Sequence, residues 1–171
     1  IVIIATGRPF RASFPYYKEL QLKTPIVNFN GAFTHHPLDL QWAEREHVPI
    51  DLHVALDIVD YAEQKTMHNM IAEVLDDVYL AKEDERLMPI FNYGNPTLIL
   101  GHLKQSLQDH PTNLLLYMDR AIIDDVEREL AEDFHATISQ HQWGGPFPII
   151  EIVRSGLHKA RGIRRVARYY N

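Results

Sequence analysis

Five apolar residues, Ile1-Val2-Ile3-Ile4-Ala5, run without a break into Thr6-Gly7-Arg8-Pro9. A strand with one wet face alternates apolar and polar side chains, whereas an unbroken β-branched run belongs to a strand covered on both faces, as in a parallel sheet. A parallel neighbour cannot be reached through a hairpin and requires a crossover. The next residues provide one: residues 13–20 can form a short helix, and Thr24-Pro25-Ile26-Val27-Asn28-Phe29 reads as a second strand ending at Asn30-Gly31-Ala32. Strand, helix and strand in this order make a βαβ unit, which places this end of the chain in the α/β class.

From about Phe33 the pattern changes. Pro37-Leu38-Asp39 separates two short extended stretches, and Leu40, Trp42 and Val48 suggest a hairpin with one wet face. Ile50, Val54, Ile58 and Tyr61 recur at helical spacing over residues 50–64, and residues 69–82 are rich in strand formers. Asn95-Pro96 reads as the start of a helix with Ile99, Leu103 and Leu107 on one side, stopped by His110-Pro111. A buried strand over 114–118, a helix marked by Ile123, Val126, Leu130 and Phe134, and strands over 137–141 and 147–153 follow, the last two joined by Trp143-Gly144-Gly145-Pro146. The final helix, 159–170, carries an apolar stripe of Ile163, Val166, Ala167 and Tyr170, with Lys159 on that buried side and Arg161, Arg164, Arg165 and Arg168 on a solvated one. The expected organisation is a parallel-sheet core in two pieces, residues 1–32 and 147–171, interrupted by an α+β insertion over residues 33–146.

Thr6-Gly7-Arg8 falls beyond the carboxyl end of a buried strand, where open α/β sheets bind ligands. A Thr hydroxyl and a Gly amide can donate to a phosphoryl oxygen there, and Arg8 can add charge-assisted bonds. The tripeptide taken alone would serve equally as a turn. Asn30-Gly31 closes the second strand, Gly31 supplying a positive φ and Asn30 a polar side chain. The ten histidines show no convincing ligand spacing, since His35 and His36 are adjacent and face opposite sides of a strand. Neither Asp76-Asp77 nor Asp124-Asp125 has D-x-D spacing after a buried strand, so no residue is read as a metal ligand.

Composition removes several classes of function. A net charge of −6 disfavours nucleic acid as the main partner. Residues 151–171 hold six basic side chains against one acidic, so the acidic excess lies in the rest of the chain. No apolar run approaches the roughly 20 residues of a membrane-spanning helix. With no cysteine, disulfides and thiolate chemistry are excluded, and the cytoplasm is the expected compartment.

The opening strand with its T-G-R, together with Glu151-Ile152-Val153-Arg154-Ser155-Gly156-Leu157-His158-Lys159, resembles the second and third signature motifs of the Cof-like branch of haloacid-dehalogenase-type (HAD) phosphatases. The succession T-G-R-P, helix, strand, N-G-A extends the likeness. The first motif of that family, D-x-D-G-T, and the fourth are not in the sequence, so the chain reads as the middle of such an enzyme. The third motif departs slightly: the family more often has a small or polar residue, Lys, then Gly, whereas here Leu157-His158-Lys159-Ala160 precedes Gly162. The resemblance implies a Rossmann-like core carrying a large cap that closes over the site, hinged near Ala32 and residues 144–146. It implies magnesium-dependent hydrolysis of small phosphorylated metabolites, such as sugar phosphates or nucleotides, through an aspartyl-phosphate. Thr6 and Lys159 would be catalytic, while Gly7, Arg8, Asn30 and Gly31 would bind substrate. The nucleophilic Asp and the magnesium ligands would lie outside this chain, leaving it inactive by itself. The alternative is a non-catalytic domain that binds a sugar phosphate or nucleotide. Oligomeric state is left open.

Overall fold

The computed structural model describes residues 1–170. In chain order the elements are α1 (Phe10–Glu19), β1 (Ile26–Asn28), a tight turn (Phe29–Gly31), β2 (Phe33–His35), β3 (Glu46–His47), α2 (Leu52–Glu63), β4 (Met67–Val74) and β5 (Asp77–Leu80). They continue with α3 (Met88–Phe91), β6 (Leu98–Leu100), α4 (Leu103–Ser106), β7 (Asn113–Met118), α5 (Ile123–Phe134), β8 (Ile138–Gln142), β9 (Ile149–Arg154) and α6 (Lys159–Tyr169). Two compact units result, one made of residues 1–48 and the chain from Leu157 onward, the other of residues 49–156.

The first unit is built on an antiparallel sheet β1-β2-β3, to which Ala5 adds a parallel bridge with Val27. Two hydrogen bonds make that bridge, Thr6 N to Val27 O at 2.9 Å and Val27 N to Ile4 O at 2.9 Å. Residues 1–5 are thus extended but form no continuous strand, against the expectation of a strand buried on both faces. Among the described residues only one flank of this segment is paired, and Ile1 and Val2 are exposed. Helix α6 seats Gly162 and Val166 on the sheet; of the expected stripe Val166 is buried, while Ile163, Ala167 and Tyr170 are exposed. The reason is close approach. A Cβ on Gly162 would stand 2.5 Å from Val27 Cγ1 and 2.7 Å from Thr34 Oγ1, so only glycine lets the helix reach the strands. Two of the arginines expected in solvent are paired instead, Arg161 with Glu46 at 3.0 Å and Arg165 with Glu46 at 3.3 Å and Glu44 at 3.5 Å.

The second unit is a six-stranded sheet in the order β6-β5-β4-β7-β9-β8, antiparallel except for β5 with β6. Strand period two sorts its core. Leu114, Leu116 and Met118 of β7 join Ala72, Ile150 and Ile152 against α2 and α5, whereas Leu115 and Tyr117 join Ile71, Val78 and Ile149 against Leu87 and Phe91. Helix α2 buries Val54, Ala55, Ile58, Val59 and Ala62; each large aliphatic chain so covered contributes about 1.5–3 kcal/mol. Buried carboxylates do occur within the sheet: Asn113 Nδ2 donates to Glu73 at 3.0 Å and to Glu151 at 3.3 Å, and Trp143 Nε1 donates to Glu151 at 3.1 Å.

The units divide between residues 48 and 49 and between 156 and 157, not at 32/33 and 146/147 as the sequence suggested. Pairing decides this. The hairpin after Ala32 returns to β1, with Ile26 opposite His35 and Asn28 opposite Phe33. Strand β9, expected in the core, pairs with β7 and β8, with Leu114 opposite Ile152 and Gln140 opposite Ile152. The Gly144-Gly145-Pro146 turn, expected as a hinge, joins two neighbouring strands inside the second unit.

Candidate functional site

Three sequence motifs meet in the first unit. The T-G-R loop is held from behind by the end of β1: Asn30 N donates to Thr6 O at 3.1 Å and Phe29 N donates to Arg8 O at 3.2 Å. Both carbonyls flanking Gly7 are therefore fixed. Receiving them requires an unusual backbone, since Phe29, Asn30 and Gly31 all have positive φ, at 48°, 54° and 101°. Asn tolerates this region and Gly prefers it, but a bulky residue such as Phe does not, and backbone strain of this kind gathers at functional sites. The Asn30 side chain stands over Gly7, where an added Cβ would lie 3.0 Å from Asn30 Oδ1. At Gly31 an added Cβ would lie 2.6 Å from the carbonyl oxygen of His158 and 3.6 Å from the backbone nitrogen of Lys159. Thus Thr6, Gly7 and Asn30 form one cluster, and Gly31 brings that cluster against the start of α6.

Lys159 opens α6, after an extended His158 at φ −159° and ψ 154°. It shares the face of Gly162 and Val166, three and seven residues further on, but at the first position of the helix it is exposed. Its side chain makes no hydrogen bond or ion pair with any described residue. Thr6 Oγ1 accepts from Arg8 N at 3.2 Å, which leaves the hydroxyl hydrogen free to donate outward. Arg8 turns toward α1, with its guanidinium 3.4 Å from the Tyr16 hydroxyl and over that ring at 5.5 Å. It stands apart from the Thr6–Asn30 contacts in this arrangement.

The donors so assembled, a hydroxyl, backbone amides and a carboxamide, suit a phosphoryl group, and the exposed Lys159 opens the helix that packs beside Gly31. The donor set contains no carboxylate and does not suit magnesium. Among the described residues no three His, Asp or Glu side chains converge as a metal centre. No helix among them is long and apolar enough to cross a membrane.

Sequence reasoning missed the polar layer beneath the loop. His35, one of the histidines without ligand spacing, is buried in the first unit. Its Nε2 lies 3.3 Å from Asn28 Oδ1, and Asn28 Nδ2 donates to Arg8 O at 3.0 Å and to Ser13 Oγ at 2.8 Å. The one available signal was an asparagine inside the otherwise apolar stretch before Asn30.

A family model described as haloacid dehalogenase-like hydrolase matches residues 1–171. The 5-amino-6-(5-phospho-D-ribitylamino)uracil phosphatase YitU of Bacillus subtilis (strain 168) is 41% identical over 170 residues, covering 99% of this chain and 62% of the relative. The crystal structure of TM0651 from Thermotoga maritima superposes with a TM-score of 0.81 at 22% identity, over 99% of this chain and 62% of that one. The HAD subclass IIB sugar phosphatase BT4131 superposes with a TM-score of 0.74 at 16% identity, over 98% and 62% of the two chains. At such identities the two structures establish a shared α/β fold. The chain spans 62% of the length of each of these relatives.

Proposed function

This chain belongs to the haloacid dehalogenase-like hydrolase family, and from that premise we propose that it supplies the phosphate-binding part of a phosphatase acting on small phosphorylated metabolites. The observation that carries the reading is the meeting of the T-G-R loop, the Asn30-Gly31 turn and the start of α6. A phosphoryl oxygen placed at this edge would accept from the Thr6 hydroxyl, whose oxygen already receives the Arg8 amide, and from the amide of Gly7. Asn30 would add a carboxamide contact, and Gly31 keeps α6 close enough for Lys159 to contribute. The Lys159 ammonium, a compact charge without a competing partner among the described residues, would offset the charge of the transferring group. Arg8 reaches a phosphate only by leaving Tyr16, so we assign it substrate entry rather than catalysis.

The family resemblance points to magnesium and to an aspartyl-phosphate intermediate. Magnesium supplies charge neutralisation at the phosphoryl oxygens when bound; the cluster described here holds no carboxylate for it, and the steps assigned to this chain are phosphate binding and charge compensation. The compound in the name of the Bacillus subtilis relative, a phosphate monoester of a ribityl-substituted pyrimidine, is the first substrate to test.

In the full-length protein, Lys159→Met and Thr6→Val are expected to lower kcat/KM for that monoester and for p-nitrophenyl phosphate by about 100- to 1000-fold, the usual loss of one transition-state charge donor. Because Lys159 is exposed, its thermal midpoint should stay at the wild-type value. Wild-type rates in both variants would overturn the assignment.

A further inference from the structure

We propose that Asn28 is a positioning residue for the T-G-R loop, holding Thr6 and Gly7 in register through its bond to the Arg8 carbonyl; this rests on the phosphate-binding reading above. Asn28 closes β1 in an extended conformation and has no solvent exposure. A buried carboxamide must satisfy its donors and acceptor or lose stability. This one does so by joining three elements: both of its donor bonds leave Nδ2, to Arg8 O at 3.0 Å and Ser13 Oγ at 2.8 Å, and Oδ1 faces His35 Nε2 at 3.3 Å. Ser13 lies on α1, Arg8 in the loop and His35 on β2.

His35 is itself fixed. Its ring stacks on Phe33 at 4.1 Å and meets Phe10 edge-on at 4.7 Å. Burial, reinforced by Arg45 and His36, lowers its pKa to about 4, so the ring is neutral near pH 7. A neutral imidazole has one N–H, and with Asn28 Nδ2 committed to two acceptors the Oδ1 atom must accept; the network therefore assigns that proton to Nε2. The orientation of Asn28 is then determined from both ends.

The geometry separates Asn28 from an ordinary buried amide. Arg8 O receives both Asn28 Nδ2 and the Phe29 amide, and Thr6 O receives the Asn30 amide. The Thr6–Gly7 and Arg8–Pro9 peptides, which enclose the Gly7–Arg8 peptide, are thus anchored to residues 28–30, and Asn28 contributes a side-chain anchor. It touches no site where a phosphate would sit. Its effect on turnover would pass entirely through the loop, and small displacements there are costly to phosphoryl transfer.

The test uses full-length protein and p-nitrophenyl phosphate with magnesium. Asn28→Asp keeps the shape and the acceptor facing His35 but cannot donate to Arg8 O. Asn28→Ala removes the amide without leaving a buried charge, and serves if the aspartate variant does not fold. Val59→Ala, buried on α2 among residues of the second unit, is the structural comparator. Both Asn28 variants should lose about 10- to 100-fold in kcat, the range seen when supporting hydrogen bonds are cut, with KM moving much less. Val59→Ala should show a comparable fall in thermal midpoint and keep its kcat. If the Asn28 variants hold kcat within about twofold while Thr6→Val is inactive, the positioning role falls and the phosphate-binding reading stands. If Thr6→Val and Lys159→Met also keep full activity, both fall together.

Discussion

His35 lies between Phe10 and Phe33 with 7% of its surface exposed. Burial is the main reason its pKa drops from 6.5 to about 4, and Arg45 and His36 push it the same way. In the unfolded chain the ring takes up a proton near pH 6.5, whereas in the folded chain it does so only near pH 4. Between those values the unfolded state holds more protons, so stability rises with pH across the window. The contribution is complete above about pH 6.5 and is lost as pH falls through about 4; at roughly 1.4 kcal/mol per pH unit it amounts to about 3 kcal/mol. A His35→Gln variant lacks this dependence. Denaturant titrations of both proteins at pH 7 and pH 4.5 should show the stability gap between them shrinking by about 2–3 kcal/mol in acid, and a gap independent of pH would refute the buried neutral ring. Little of this was legible in the sequence. Alternation sends His35 and His36 to opposite faces, but the partners of His35 lie on other elements, and no spacing rule connects His35 to Asn28.

At the scale of elements, legibility followed local periodicity. Helices α2 and α5 bury Val54, Ile58, Val126 and Leu130, at the spacings their sequences display. The segment after Asn95 broke that rule. Ile99, Leu103 and Leu107 have helical spacing, yet Leu98–Leu100 is a strand paired in parallel with β5, Val78 opposite Leu98, and only Leu103–Ser106 is helical. Asn95 adopts φ 55° and does not cap a helix. An edge partner for three adjacent apolar residues outweighed propensity, and the switch from strand to helix happens at Gly101, whose φ of 142° is open to glycine alone. Nothing stands within 4 Å of an added Cβ at Gly101, so an alanine there would suffer backbone strain and no collision. Gly101→Ala should cost about 1–3 kcal/mol. Gly144 has equally open surroundings and no positive φ, and Gly144→Ala should fall within about 0.5 kcal/mol of wild type. Equal thermal midpoints for the two variants would mean that the β6–α4 turn is not fixed by its backbone angle.

For the molecule as a whole, the family was legible because the T-G-R and N-G-A motifs are short runs that can be read without knowing which strands pair. The boundaries were not, since they depend on which strands pair. Residues 33–48 and 149–154 look alike as extended segments, and only pairing sends the first to β1 and the second to β7. Residues 49–156 consequently own two apolar layers, one under α2 and α5 and one under α3, both closed within the unit. The two ends of this stretch are tied to it: Ile50 N donates to Pro111 O at 2.8 Å, and Arg154 lies 3.9 Å from Asp51. A segment of about 100 residues with its own core is the size at which independent folding is usual. Residues 49–156 expressed alone should therefore unfold in one cooperative transition, with near-ultraviolet circular dichroism from Trp143 packed beside Phe91. In the longer chain, hydrogen exchange should be slowest in the central strands β4, β7 and β9, which open only with the whole sheet. A piece that binds hydrophobic dye and melts without a transition would show that this sheet depends on residues outside 49–156 for its packing.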